Sequence, residues 1–224
     1  MLLSIKNIDA SARDKYGQTP LHVAAACGHV DIVRLFASRM DIDLNVTDGT
    51  GVSAFHAAAQ KGEVGVMKVL LSSTRMNPHV RNQFGHTPFL SACATGRLTV
   101  MKFLISVGMD IHTCSHRGST AIHCAARGGQ IDVIKFLLSL KETSINVNDT
   151  DLAGMTPLHS AVLSCQIEVV KFLLSRDEVD VHVRNAHGHT ALDIALGRRY
   201  RRVADVFNDR DTDTHESLVH AQMF

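Results

Sequence analysis

Five segments of the chain carry apolar residues at spacings of three and four, with a single Lys or Arg inside each. The segments are residues 30–36, 64–71, 98–104, 131–138 and 167–174. This periodicity puts the apolar side chains on one face of an α-helix and predicts five amphipathic helices. The basic residues fall on the opposite, solvent-facing side: Arg34, Lys68, Lys102, Lys135 and Lys171.

A shorter, small-residue segment precedes each amphipathic one, and it opens with a glycine, any residue, and Ser or Thr. In the first copy Gly17 suits a tight turn with positive φ, and Thr19 is a natural helix N-cap. Pro20 then stands at the first helical position, where its missing N–H costs nothing. We predict a helix from Pro20 to Cys27, ended by Gly28 in a left-handed turn.

The segment that opens with Gly-x-Ser/Thr recurs six times, with the Ser/Thr positions 34, 34, 33, 36 and 34 residues apart. A fixed period near 33 is typical of a stacked repeat array. The motif Gly-x-Thr-Pro-Leu-His-x-Ala-Ala, clearest in residues 17–28 and 118–129, resembles that of the ankyrin repeat. The resemblance covers roughly residues 1–207. It implies an all-α solenoid of helix-turn-helix units joined by β-hairpin-like fingers.

The period divides the chain into a partial repeat at 1–13, six ankyrin repeats at 14–207 and a polar tail at 208–224. The repeats cover about 14–47, 48–81, 82–114, 115–150, 151–184 and 185–207. Residues 2–17 align without gaps on residues 173–188, so the first helix pair lacks its first member. Either the array is trimmed, or the sequence begins inside a longer one.

Three positions depart from the repeat. Gly108 follows the third amphipathic segment, where a left-handed glycine would permit the shorter spacing. Two extra residues in the fourth copy predict a bulged loop at 141–146. Cys165 replaces the glycine that ends the small-residue helix, which leaves the end of that helix open.

Charge and cysteine content narrow the class of protein. The formal net charge is +1 and no run of 18 apolar residues occurs, so we expect neither nucleic acid nor a membrane as partner. The five cysteines form no CxxC pair, and we interpret them as buried or half-buried free thiols in a reducing compartment. We expect the cytoplasm. The basic run at 198–202 leaves the nucleus open, although we interpret that run as the solvated cap of the last repeat.

Fourteen histidines invite a metal hypothesis, but most belong to the repeat. His22, His56, His123 and His159 occupy the motif position that, in the ankyrin family, hydrogen-bonds within the turn and across repeats. His79, His112 and His182 share a position with Asn45 and Asn148, a polar site that we expect to bond to loop backbone. No HExxH, nucleophile or phosphate-loop motif is present. We therefore expect no enzyme activity, no metal and no cofactor.

The ankyrin resemblance implies a protein partner bound along a concave face and the finger tips, at positions that the repeat motif leaves variable. The predicted contacts are Lys15, Tyr16, Gln18, Thr50, Val52, Gln60, Lys61, Phe84, His86, His116, Arg117, Arg127, Met155, His187, His189 and Arg198. Tyr16, Phe84 and Arg117 are the expected anchors, because aromatic residues and arginine dominate interface energies. A monomer is favoured over a homo-oligomer.

Two alternatives stay open. The repeats could form the regulatory domain of a larger enzyme or channel, as the unpaired half-repeat at the N-terminus suggests. They could also form a scaffold that self-associates through an uncapped N-terminal end.

Overall fold

The computed structural model describes residues 9–140 and 145–208, and these residues are helical with no β-strand among them. An isolated bridge joins Thr47 and Ser53. The helices are α1 Pro20–Ala26, α2 Val30–Ser38, α3 Ala54–Lys61, α4 Val64–Leu71, α5 Pro88–Ala94, α6 Leu98–Ser106, α7 Ala121–Arg127, α8 Ile131–Ser139, α9 Pro157–Leu163, α10 Ile167–Leu174, α11 Ala191–Gly197 and α12 201–208. The predicted all-α solenoid is confirmed.

The predicted partial repeat, the bulged loop and the polar tail fall largely on residues 1–8, 141–144 and 209–224, outside the described residues. The chain divides into two compact units, which we call unit 1 (Met1–His116) and unit 2 (Arg117–Phe224). In unit 1, α1, α3 and α5 pack side by side, and so do α2, α4 and α6. In unit 2, α7, α9 and α11 pack in the same way, and α8 packs on α10.

Small residues let the odd-numbered helices lie close together. Ala25, Ala59 and Ala126 are completely buried on them. The large apolar side chains between the helix layers, such as Phe55 and Phe89, are equally inaccessible. Burial of each such side chain stabilises the fold by about 1.5–3 kcal/mol. The five predicted basic residues of the even-numbered helices are all exposed, as expected for the outer face.

Left-handed residues end the odd-numbered helices, and two of them are not glycine. Cys165 has φ 53° and Arg199 has φ 60°, whereas Gly28, Gly62 and Gly129 hold the equivalent place with φ between 73° and 95°. Helix α9, which precedes Cys165, ends at Leu163 and is seven residues long, as α7 is. The helix therefore ends at the usual place although Cys165 replaces the glycine. A side chain in the left-handed region costs roughly 1–2 kcal/mol.

Gly108 also has a left-handed conformation, with φ 81°. It follows α6 and closes the turn by donating its N–H to the carbonyl of Ile105 at 3.0 Å. A tight glycine turn therefore accompanies the shorter spacing of the third copy, as the sequence predicts.

Arg75 ties the second repeat to the first. Its guanidinium donates to the carbonyl oxygens of Ile42 and Ala37 at 2.8 Å each, and of Arg39 at 3.0 Å. Ala37 and Arg39 lie at the C-terminal end of α2, where unpaired carbonyls favour a cation. The repeat motif gives no signal for this contact, because no other copy has an arginine at the equivalent place.

The burial expected for the cysteines from the sequence is only partly correct. Cys93 and Cys124 are buried, and burial raises the pKa of the Cys124 thiol. Cys27, Cys114 and Cys165 are exposed, which corrects the expectation of buried or half-buried thiols. None of the five forms a disulfide, and all lie within the described residues.

Candidate functional site

Each motif histidine joins its own turn to the next repeat. Nδ1 of His22 accepts hydrogen bonds from the N–H of Thr19 at 3.1 Å and from its hydroxyl at 2.9 Å, while Nε2 donates to the carbonyl of Val52 at 2.9 Å. The same arrangement recurs at His56, His123 and His159, with Nε2 2.8–3.1 Å from the next repeat's carbonyl. Burial lowers the pKa of all four rings from 6.5. They are neutral structural groups whose two nitrogens are occupied.

The other two copies replace this histidine. Leu90 is fully buried and has no ring nitrogen to donate. Asp193 caps α11 instead: its carboxylate accepts the N–H of Thr190 at 2.9 Å, and Arg184 pairs with it at 3.4 Å. The pKa of Asp193 is lowered, first by the backbone hydrogen bond from Thr190.

The second set of histidines does not behave as predicted. Asn45 and Asn148 bond to loop backbone of the following repeat through both amide atoms. His79, His112 and His182, at the equivalent position, are exposed, and their rings make no hydrogen bond to described residues. The imidazole therefore does not take over the role of the amide at this position.

Metal and membrane sites have little support in the part of the chain that is described. No group of three or more His, Cys, Asp or Glu side chains there could hold a metal ion. None of its helices has the length and apolar character needed to cross a bilayer. The expected lack of a cofactor stays a prediction.

A polar residue three positions before the glycine shapes five of the fingers. Asp48 accepts the N–H groups of Thr50 and Val52 at 2.8 and 3.0 Å, and its own N–H bonds to the Val52 carbonyl at 2.9 Å. The same side-chain bonds are made by Asp14, Asn82, Asp151 and Asn185. These turns satisfy their backbone internally and leave the side chains at the tip free to vary.

Neighbouring finger tips are joined through their main chains. In unit 1 the N–H groups of Gly49, Gln83 and His116 donate to the carbonyls of Tyr16, Thr50 and Phe84 at 2.9–3.1 Å. In unit 2 Leu152 donates to Arg117 and Ala186 donates to Ala153, both at 2.9 Å. We call these two lines of residues the tip row of unit 1 and the tip row of unit 2.

Glycine is required where the tips approach. A Cβ atom on Gly85, which has φ 76°, would lie 2.4 Å from the backbone nitrogen of His116. The contact between tips therefore depends on the absence of a side chain at the motif glycine.

The tip row of unit 1 presents two aromatic residues to solvent. Tyr16 is 62% exposed and Phe84 is 60% exposed. The amine of Lys15 lies 4.9 Å from the Tyr16 ring centre, and the His86 ring lies 6.2 Å from that of Phe84. The two aromatic rings thus stand on either side of exposed Thr50.

The remaining predicted contacts of unit 1 are also accessible. Lys15, Lys61 and His116 are exposed, and Gln18, Val52, Gln60 and His86 are half-buried. Arg97 donates to the Gln60 carbonyl at 2.8 Å, which fixes the end of α3 against the next repeat. Tips and helix ends are thus both present on the surface of this unit.

In unit 2 the accessible predicted contacts are mostly basic. Arg117, Arg127, His187, His189 and Arg198 are exposed. Met155 is half-buried, and its sulfur lies 3.2 Å from the Asn185 amide nitrogen. Leu152 is not among the predicted contacts, yet it is 80% exposed on the tip row. The sequence could have indicated this residue as a contact, because Leu152 is an apolar residue at a variable position.

Comparisons with known proteins agree with the fold. The family model described as "Ankyrin repeats (3 copies)" matches residues 1–77, 74–151, 107–185 and 140–215. The chain belongs to the ankyrin repeat family. Ankyrin repeats are generally protein–protein interaction modules, and the fold is typically non-enzymatic.

Two solved structures illustrate the likeness. The ankyrin repeat domain of Bcl-3, described as a unique member of the IkappaB protein family, is 25% identical with a TM-score of 0.62, over 89% of this chain and 86% of that one. A chain from the structure described as predatory endopeptidase Bd0816 from Bdellovibrio bacteriovorus in complex with immunity protein Bd3460 is 25% identical with a TM-score of 0.65, over 88% of this chain and 99% of that one. No curated protein sequence matches the chain significantly.

Proposed function

We propose that this chain is a non-enzymatic module that binds a protein partner through its tip rows and the adjoining ends of the odd-numbered helices. The observation that carries the proposal is the pair of exposed aromatic residues, Tyr16 and Phe84, on the tip row of unit 1. Single exposed apolar residues are ordinary on protein surfaces. Two exposed aromatic residues on one hydrogen-bonded row of tips are less common than single ones.

The rigidity of the row favours binding. The tips are held by their internal turn bonds and by main-chain bonds to one another, so little loop ordering opposes association. A Tyr or Phe side chain can bury 150–250 Å². Covering the exposed part of each ring would contribute about 2–4 kcal/mol at about 25 cal/mol per Å².

The comparisons support the same class of function. One similar chain comes from a complex with an immunity protein, and another is an ankyrin domain of the IkappaB family. Neither likeness identifies the partner of this chain, which the experiment must find.

The test is affinity capture with the full chain, followed by identification of the bound protein. The double variant Tyr16→Ala, Phe84→Ala should capture at least tenfold less of the partner than the wild type does. A matched control changes Met40 and Val107 to Ala, since both are exposed apolar residues of unit 1 outside the tip row. Equal capture by the tip variant, or no capture by the wild type, would overturn the proposal.

Self-association is a second candidate, and one observation favours it. Ile32 of α2 is 42% exposed, whereas Val66, Val100, Val133 and Val169 are almost completely buried at the equivalent position. Val23 of α1 is also exposed. Sedimentation equilibrium of the wild type and of Ile32→Lys would decide, because a dimer through this face should dissociate in the variant and a monomer should show no change.

A further inference from the structure

Charge is unevenly distributed over the surface of unit 2. The variable positions of its tip row and helix ends include Arg117, Arg127, His187, His189 and Arg198. None of these variable positions, all within the described residues, carries Asp or Glu. The whole chain has a formal net charge of only +1 with its histidines counted as neutral, so the excess of arginine here is local.

Two carboxylates of unit 2 are already engaged. Asp151 accepts two N–H groups of its own turn, at 2.9 and 3.0 Å. Asp193 caps α11 and pairs with Arg184. At the next finger Asn185 makes the same two turn bonds as Asp151 with a neutral amide, which removes a negative charge from the row.

Neither arginine at the helix ends has a carboxylate partner in the described ranges. Arg127 makes only a long contact with the Cys124 sulfur at 3.9 Å, and no ion pair of Arg127 or Arg198 occurs among the described residues. The first acidic residue after Arg127 along the chain is Asp132. It lies in the first turn of α8, where its charge stabilises the N-terminus of that helix. Both guanidinium groups can therefore pair with carboxylates from outside the chain.

The separation between Arg127 and Arg198 sets the length of a ligand that could contact both. Arg127 ends α7 and Arg198 follows α11, with α9 packed between those two helices. At 8–10 Å between helix axes, the two arginines stand about 16–20 Å apart. An extended peptide of about five or six residues spans that distance.

An apolar contact lies on the adjoining row. Leu152 is 80% exposed, and its N–H bond to Arg117 holds it on the tip row of unit 2. A partner that reached the tip row as well as Arg127 and Arg198 could cover this side chain. That combination of charge and exposed leucine is less suited to nucleic acid, whose binding depends on many phosphate contacts.

We infer that unit 2 binds an acidic, extended segment of a protein partner, with carboxylates at Arg127 and Arg198 and an apolar side chain on Leu152. The inference rests on the proposed function and names the chemistry of the partner at this unit. The ion pairs form at an exposed surface, so binding weakens as salt rises.

The experiment titrates the full-length ¹⁵N-labelled protein with a synthetic peptide of repeated Glu-Ser-Leu-Glu-Gly and follows the backbone amide shifts. Arg127, Leu152 and Arg198 should shift with this peptide and should not shift with the matched peptide in which Gln replaces Glu. Equal shifts with both peptides, or none with either, would overturn the inference.

Charge reversal supplies the second arm. Arg127→Glu with Arg198→Glu should weaken binding of the acidic peptide about tenfold or more. The control Lys135→Glu with Lys171→Glu, on the outer face of the same unit, should not. Unchanged binding in the first variant would count against the site, and shifts with polyuridylate instead of the peptide would point to nucleic acid.

These outcomes separate the two proposals. If Tyr16 and Phe84 are needed for partner capture but the acidic peptide does not bind, only the inference about unit 2 is wrong. If the peptide binds at Arg127 and Arg198 but the aromatic residues are not needed, the proposal for the tip row of unit 1 is wrong.

Discussion

Nε2 of His123 donates to the carbonyl oxygen of Met155 in the following repeat, across 2.8 Å. The opposite ring nitrogen of His123 lies 2.9 Å from the hydroxyl of Thr120, at the start of the same helix. A single buried side chain therefore links a helix N-terminus to the finger of the neighbouring repeat.

We predict that His123→Leu lowers the free energy of unfolding by about 1–3 kcal/mol, because it leaves the half-buried Met155 carbonyl and the half-buried Thr120 N–H without their ring partners. Urea unfolding measures the change. His182→Leu, at an exposed ring without hydrogen bonds, should cost less than about 0.5 kcal/mol. Equal losses in the two variants would contradict the structural role of His123.

Stability should fall as the pH drops below about 6.5. Burial lowers the pKa of His22, His56, His123 and His159 below the ordinary value. Above 6.5 the rings are neutral in both states, and the full stability is present. Below 6.5 the unfolded chain takes up protons that the folded chain does not, so the free energy of unfolding decreases until the folded rings also titrate.

Urea unfolding at a series of pH values between 8 and 5 tests this expectation. Carboxyl groups titrate near 4, below that window. The His123→Leu variant should show a shallower decline than the wild type, because it has one fewer shifted ring. A constant stability across the window would contradict the pKa assignment.

Cys165→Gly should stabilise the protein by about 0.5–1 kcal/mol. Cys165 has φ 53°, a conformation that glycine adopts without steric cost. Thermal or urea unfolding gives the difference. The opposite change, Gly129→Ala, should destabilise, because its Cβ would come within 2.7 Å of the Gln166 side chain at φ 78°. A less stable Cys165→Gly variant would show that the thiol makes a compensating contact.

Arg75→Met should cost about 2–4 kcal/mol, because three carbonyl oxygens of the first repeat lose a charged donor. Methionine keeps much of the length of the side chain, so the change isolates the guanidinium. Arg34→Met, at an exposed position of α2, should cost under about 0.5 kcal/mol. Comparable unfolding midpoints for the two variants would show that the Arg75 bonds contribute no net stability.

The repeat motif carries most of the information about the fold. Its glycine, Ser/Thr cap and histidine each act through local geometry, so Gly17, Thr19 and His22 suffice to predict the turn and helix start. Arg75 could not be predicted, because its acceptors are backbone carbonyls more than thirty residues earlier, and these have no sequence signature.

The candidate surface was predictable by position and less so by chemistry. Variable positions such as Tyr16 and Phe84 are exposed, as the repeat implies. The exposure of Leu152 depends on how the tips stand beside each other, which the sequence does not specify. The same holds for the rings of His79 and His112, since the loop geometry that suits an asparagine is visible only in three dimensions.

The bonds that join Gly49 to Tyr16 and Gln83 to Thr50 connect backbone atoms, so the Tyr16 and Thr50 side chains take no part in them. Replacing Tyr16 or Thr50 leaves the N–H and C=O groups in place, so the surface can change its chemistry while the architecture persists. Each tip is an exchangeable position, and new partners could be acquired one residue at a time without a search for a new fold.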